Sequence, residues 1–205
     1  MDRTEEILAF WFGSLPTTAA ELERRMIVWF GGAEPERQAE RDREIRERFG
    51  ELIERAAAGE LAGWAGTPRG RLALILLLDQ FPRNVYRGTA RAFAYDDAAL
   101  GLALAGIEAG DDRALDPVER IFFYLPLQHA ESREMQRRSV TAYRRLLLEA
   151  PLELQAQFAE TLGFAEEHRA VVERFGRFPH RNRALGREST AEEREYLQSA
   201  DSYGQ

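Results

Sequence analysis

The side chains best suited to proton transfer are a small set of histidines and carboxylates that fall on apolar segments. The chain has three histidines. His129 and His168 are candidate general acids or bases, because an imidazole beside a carboxylate can take up and return a proton near neutral pH. Asp79 or Glu131 is the candidate carboxylate that orients the ring. Asp79 ends a strongly apolar segment, where a charged side chain needs a partner.

A second kind of chemistry is indicated by arginine. Residues 174–187 contain five arginines and one histidine but no acidic residue. Planar guanidinium groups bind carboxylate or phosphate through paired hydrogen bonds, so this stretch predicts an anion site. The alternative is that these arginines pair with carboxylates of the chain itself, such as Asp79 and Glu131.

The arginine-rich stretch contains one of two similar corners. Phe81-Pro82-Arg83-Asn84 is followed by Gly88, and Phe178-Pro179-His180-Arg181-Asn182 is followed by Gly186. Proline disfavours helical geometry in the residue before it, which predicts that a helix ends at each phenylalanine. An arginine there can bond the free carbonyls of a helix end, and asparagine tolerates the left-handed conformation of such turns. This is a complete structural account of both corners.

Helical phase predicts which other polar residues point inward. Stepping back by three and four residues from Val140 and Tyr143 reaches Gln136, so this glutamine shares their inward face. His168 lies on the same face of its helix as Phe158 and Val172. The predicted ligand-binding residues are Gln80, Arg83, Asn84, Gln136, Arg177, His180, Arg181 and Asn182.

Three interpretations of these residues remain open. They can form a purely structural polar network that fixes helix packing. They can line a pocket for an anionic small molecule or an acidic peptide end, which is the leading hypothesis and makes the protein a binding module. They can also catalyse a hydrolase or lyase reaction on a small molecule through histidine and carboxylate.

Composition excludes several other functions. There is no cysteine, and all 28 basic residues are arginine, which excludes disulfides, thiol nucleophiles, Schiff-base lysines and Walker-type phosphate loops. No GxSxG or GxGxxG motif occurs, and no HxxxH or ExxH pair places two metal ligands on one helix face. We therefore expect no cofactor and no metal. The net charge of −7 disfavours nucleic acid as a partner, although residues 174–187 are where RNA contact would occur.

The elements that must position these residues are helices. Capping signals begin helices at Thr67-Pro68, at Asp116-Pro117 and at Ser189 or Thr190, and Pro126 is expected to interrupt the helix before Ala150. No segment shows strand-like alternation, and no linker divides the chain. The sequence predicts one all-α domain over residues 1–205, an antiparallel array of helices.

Location and assembly rest on weaker signals. The chain begins without a signal-peptide pattern, and its most apolar run, Leu72 to Leu78, is too short to cross a bilayer, so no membrane association and a cytoplasmic location are expected. Phe10, Trp11 and Trp29 pack either on later helices or on another subunit, which leaves a homo-oligomer open.

Several long segments resemble the signatures of a bacterial family, the domain-of-unknown-function 924 family. They are LALILLLDQFPRN, DPVERIFFYLPLQHAE and RFGRFPHRNRALGRESTAEE, together with ILAFWFG and the pair Trp29-Phe30 near the start. The resemblance covers nearly the whole chain. It implies an all-helical fold similar to tetratricopeptide-like superhelices, and it implies no activity.

Overall fold

A computed structural model describes residues 2–30 and 34–198, and within these ranges the chain is helical and contains no β-strand. The all-α prediction is confirmed. The helices are α1 (Arg3–Phe12), α2 (Ala19–Trp29), α3 (Pro35–Ala57), α4 (Pro68–Ile75), α5 (Phe81–Val85), α6 (Asp96–Ala109), α7 (Pro117–His129), α8 (Arg133–Glu149), α9 (Gln155–Phe175) and α10 (Ala191–Tyr196). A π-helical turn, Leu76–Gln80, joins α4 to α5, and 3₁₀ turns lie at Ala62–Gly66, Ala90–Phe93, Asp111–Ala114, Leu152–Leu154 and Pro179–Arg181. None of the described helices is long and apolar enough to cross a membrane.

Helix starts follow the capping signals. The Thr67 hydroxyl accepts the Gly70 N–H at 3.1 Å, and Asp116 forms a complete capping box with Glu119. Of the two alternatives for the last helix, Thr190 is the cap, and it forms a capping box with Glu193. The predicted end of α2 at Gly31-Gly32 lies outside the described residues.

The core is centred on α4, the π turn and α7. Every residue from Leu72 to Leu78 is at most 3% exposed, as expected for a segment that is apolar on all sides. The N-terminal aromatic rings pack on α7 of the same chain: the Trp11 and Trp29 rings lie 5.5 and 4.7 Å from the Phe122 ring. A smaller cluster joins Val171, Val172 and Phe178 near the C-terminus.

The prediction that a helix ends at Phe81 is wrong. Phe81 has helical backbone angles (φ −63°, ψ −38°), and α5 continues to Val85. Its N–H bonds the carbonyl of Leu76, five residues earlier, as in a π helix. The wider turn accommodates the Pro82 ring, which in a regular α-helix would clash with the carbonyl four residues back.

Three other local expectations are also corrected. Pro126 lies inside α7, and the chain leaves the helix only at Ala130 (ψ 131°). Asn182 is right-handed (φ −56°), and Asn84 lies within α5; the left-handed residues of the two corners are Gly88 and Gly186 (φ 74° and 64°). Glycine takes this conformation without the steric penalty that a Cβ atom brings. At the second corner Phe178 is extended as predicted, and α9 ends at Phe175, where the sequence also predicts the end of this helix.

We predict opposite effects for two glycines of α6. A Cβ atom at Gly106 would meet the Phe123 ring at 2.4 Å and Arg71 Cδ at 2.5 Å, whereas nothing lies within 4 Å at Gly101. Gly106→Ala should lower the free energy of unfolding by about 1–3 kcal/mol through overpacking. Gly101→Ala, the matched control, should raise it by about 0.5–1 kcal/mol through helix propensity. Urea denaturation measures both, and a stabilised Gly106→Ala would contradict this account of the α4–α6–α7 packing.

Candidate functional site

A cavity lined by both polar and apolar side chains lies where the π turn, α5, α7 and α9 meet the turn Pro179–Arg181. Its volume is about 120 Å³. The polar lining residues are Gln38, Gln80, Arg83, Asn84, Arg87, Gln128, His129, Tyr143, Thr161, His168, His180 and Arg181, and the apolar ones are Trp29, Phe30, Phe93, Ile121, Leu125 and Phe164. All three histidines of the chain therefore line one cavity.

Asp79 lies behind the cavity lining and binds two of the lining residues, His129 and Arg83. Its side chain is fully buried, and Oδ1 lies 2.6 Å from His129 Nδ1 and 3.1 Å from Arg83 Nη1. Gln80 donates to its other oxygen. Burial alone would raise the pKa of Asp79, but the positive charge of Arg83 and the contact with His129 outweigh it and hold the pKa well below its usual range. Asp79 is therefore ionised and His129 Nδ1 carries the proton between them.

Asp96, at the start of α6, binds two arginines of the cavity. Arg83 donates to both of its carboxylate oxygens, at 2.9 and 2.8 Å, and Arg181 Nη1 donates to Oδ2 at 3.2 Å. The Arg181 guanidinium also lies between the rings of Phe93 and Phe178, at 4.7 and 4.6 Å. Burial, reinforced by the nearby charge of Arg83, lowers the pKa of Arg181 to about 10. Arg181 therefore remains charged at pH 7, although burial and Arg83 weaken its hold on the proton.

The other two histidines are neutral at physiological pH. The His168 Nδ1 lies 2.8 Å from the Phe164 carbonyl, which can only accept, so Nδ1 carries the proton. Burial and the proximity of His129 lower the pKa of His168 to about 3. Burial and the charge of Arg181 lower the pKa of His180 to about 3 as well. The His129 and His168 ring centroids are 6.4 Å apart.

Besides Asp79, four of the predicted site residues lie outside the cavity lining. Gln136 donates to the carbonyls of Gln128 and Ala130, which fixes the α7–α8 corner. Arg177 binds Glu193 at 2.6 and 2.8 Å, and Asn182 donates to the same carboxylate. Glu131 accepts two hydrogen bonds from Arg187 and one from the backbone N–H of Phe178. It therefore supports the second corner, and the carboxylate beside His129 is Asp79.

The remaining predicted residues lie together in the lining: Gln80, Arg83, Asn84, His129, His168, His180 and Arg181. Asn84 and Arg87 both donate to Asp42 on α3. Arg87 was missed, because it lies in the turn just after α5 ends at Val85, where helical phase does not predict the direction of a side chain. Asp96 was also missed, because it contacts Arg181 across 85 residues of sequence, a separation that no periodicity reveals.

The donor set favours anions over metal ions. Within the described residues no group of three histidine or carboxylate side chains is arranged to hold a metal ion. Three arginines and three histidines line the cavity, and the described lining contains no carboxylate, since Asp42, Asp79 and Asp96 all contact it from outside. The arrangement can bind an anion, and His129 can transfer a proton.

Comparisons with known proteins identify relatives with a similar fold, but they assign no activity to this chain. The model of a family described as bacterial proteins of unknown function (DUF924) matches residues 7–201. The solved structure of a protein of unknown function from Agrobacterium tumefaciens is similar with a TM-score of 0.71 and 41% sequence identity, covering 89% of this chain and 99% of that one. The search of curated proteins gave no match.

We predict that acid destabilises the protein through its buried neutral histidines. The pKa of His168 is lowered from 6.5 to about 3, so its contribution to stability is complete above pH 6.5 and is lost as the pH falls toward 3. Between pH 6.5 and about 3, a buried histidine of this kind lowers the free energy of unfolding by up to about 1.4 kcal/mol for each unit that the pH falls. His168→Asn, whose amide can still donate to the Phe164 carbonyl, should flatten the pH dependence measured by urea unfolding. Parallel pH curves for the two proteins would contradict this.

Proposed function

Since the chain belongs to the family of bacterial proteins of unknown function (DUF924), whose description assigns no activity, we propose a function from the site itself. The protein binds a small anionic molecule in the cavity, with the carboxylate or phosphate group of the ligand held by Arg181 and Arg83.

The observation that carries this proposal is the one-sided charge of the cavity. Arg83, Arg87 and Arg181 line it, while the carboxylates that neutralise them, Asp42 and Asp96, do not. A carboxylate placed in the lining would have repelled an anionic ligand. Guanidinium donors facing one space attract an anion, and the low dielectric of a partly buried site strengthens that attraction.

Arg181 supplies a donor that the protein leaves unused. Its Nη1 binds Asp96, but its Nε is buried and has no hydrogen-bond partner among the described residues. A buried donor without an acceptor is unfavourable, so a ligand oxygen that accepted from it would gain that energy on binding. Arg187 Nε at the second corner is also without a partner in the part of the chain that the structure describes, and Arg181 differs from it in lining the cavity, where a ligand can reach the guanidinium.

The apolar lining indicates what the rest of the ligand is like. Trp29, Phe30 and Phe164 line the cavity as a set of neighbouring aromatic rings, with Phe30 6.4 Å from the Trp29 ring and 5.7 Å from the Phe164 ring, and Ile121 and Leu125 add aliphatic surface. A volume of about 120 Å³ is close to that of the roughly 150 Å³ cavity that accommodates a benzene ring. The ligand class that fits is therefore a small anion with a flat apolar body, such as an aromatic carboxylate.

We predict that such an anion raises the melting temperature of the protein. A ligand at about 100 times its dissociation constant adds about 2.7 kcal/mol, which for a chain of this size is roughly 5–10 °C. Thermal shift with 4-hydroxybenzoate, inorganic phosphate and the neutral methyl 4-hydroxybenzoate measures this. The benzoate should stabilise and its neutral ester should not.

Two arginine variants separate ligand binding from general charge. Arg181→Gln should fold, since Arg83 still binds Asp96 through both oxygens, and it should lose most of the anion-induced shift. Arg183→Gln removes the same charge at an exposed position outside the cavity and should keep the shift. If no anion stabilises the unmodified protein, the binding proposal is wrong and the network is structural.

A further inference from the structure

The Asp79–His129 pair holds one imidazole in a defined orientation. Asp79 Oδ1 contacts His129 Nδ1 at 2.6 Å, and the carboxylate itself is held by Arg83 and Gln80. The π turn Leu76–Gln80 places Asp79 beneath the cavity, opposite the C-terminal end of α7. A carboxylate bound to Nδ1 leaves the second nitrogen of the ring, Nε2, as the one that can accept a proton.

His129 Nε2 is available to a ligand. The ring lines the cavity, the side chain is 13% exposed, and Nε2 has no hydrogen-bond partner among the described residues. Burial and the charge of Arg83 lower the pKa of His129 despite the opposing effect of Asp79, so the ring is neutral at pH 7. The resulting lone pair on Nε2 is that of a general base.

We propose that the protein hydrolyses a small carboxylic ester whose body carries the anionic group, with His129 as the general base and Asp79 as its positioning residue. The inference rests on the proposed function, because the anion site is what would hold the ester beside Nε2.

The described lining favours water over a side chain as the nucleophile. The chain has no cysteine, and all of its basic residues are arginine. The two lining hydroxyls are both engaged, Thr161 with the Phe158 carbonyl at 2.8 Å and Tyr143 with the Ile121 carbonyl at 2.8 Å. A covalent intermediate on either would need that hydrogen bond to break.

The reaction consists of two balanced proton transfers. A water oxygen attacks the ester carbonyl carbon while His129 Nε2 takes one proton of that water, and the carbonyl electron pair moves onto its oxygen. The tetrahedral anion then collapses, the C–O bond to the leaving oxygen breaks, and Nε2–H returns the proton to that oxygen. Ester and water become carboxylic acid and alcohol.

The test uses 4-acetoxybenzoate, an ester that carries a carboxylate, with methyl 4-acetoxybenzoate as its neutral counterpart. The unmodified protein should hydrolyse the anionic ester with saturation and the neutral one far less. His129→Gln should reduce turnover by about 10²- to 10⁴-fold, the range for loss of a general base. Glu166→Gln, an exposed control on α9 outside the cavity, should leave turnover unchanged.

Binding of the product keeps the two proposals separable. If 4-hydroxybenzoate raises the melting temperature but 2-, 3- and 4-acetoxybenzoate are not hydrolysed with saturation, the catalytic proposal is wrong and the binding proposal stands. Equal turnover in His129→Gln and the unmodified protein also overturns it. If neither shift nor hydrolysis is seen, both proposals are wrong.

The role of Asp79 is tested by the pH profile. The charged or titratable groups around His129 are Asp79, Arg83, Asp96, His168 and His180. Asp79 is the nearest group that favours the protonated ring, so Asp79→Asn should lower kcat and move the acidic limb of kcat/KM to lower pH, which a merely structural role would not do. If Asp79→Asn does not fold, the ¹⁵N chemical shifts of His129 in the unmodified protein show which ring nitrogen carries the proton, and this tests the positioning role of Asp79. They must show the proton on Nδ1, and a proton on Nε2 would overturn the assignment.

Discussion

The cavity depends on keeping one fully buried carboxylate ionised. Burial would protonate Asp79, and the Arg83 charge and the His129 contact prevent this. Arg83 is in turn bound by Asp96, which also binds Arg181. A single buried charge thereby couples the π turn, α5, α6, α7 and the turn Pro179–Arg181. Removal of one partner from a buried ionic network leaves an uncompensated charge, at a cost of about 3–5 kcal/mol, so these elements must assemble together.

The structural and binding interpretations of the arginines apply to different atoms. At the second corner Arg177 and Arg187 are bound by Glu193 and Glu131, so much of the arginine surplus serves to fix the chain. The Nε of Arg181 and that of Arg187 both have no acceptor among the described residues, but of the two arginines Arg181 is the one that lines the cavity. This ionic network places its arginines in the cavity lining and its carboxylates behind the lining. The side of the network that faces the cavity therefore carries positive charge.

Local rules predicted the helices well where a local interaction decides them. Side-chain caps at Thr67, Asp116 and Thr190 begin helices as expected, because each satisfies free N–H groups within its own turn. The proline rules failed at Phe81 and within α7, because packing of the apolar surfaces on both sides keeps the chain helical there. At Pro82 the wider π turn avoids the clash between the proline ring and the preceding carbonyl. Inward polar residues followed from helical phase, which is how Gln136 and His168 were recognised as buried.

The sequence by itself determined the elements and the available chemistry. Its amphipathic periods specify helices, and the absence of lysine and cysteine leaves histidine, carboxylate and arginine as the reactive groups. Only the tertiary structure decided that His129 pairs with Asp79, 50 residues away, while Glu131 supports the second corner. It also brought Asp96 between two arginines. Periodicity tells which face of its own helix a side chain occupies, but which faces meet depends on how the whole core packs, and that is not encoded within any one helix.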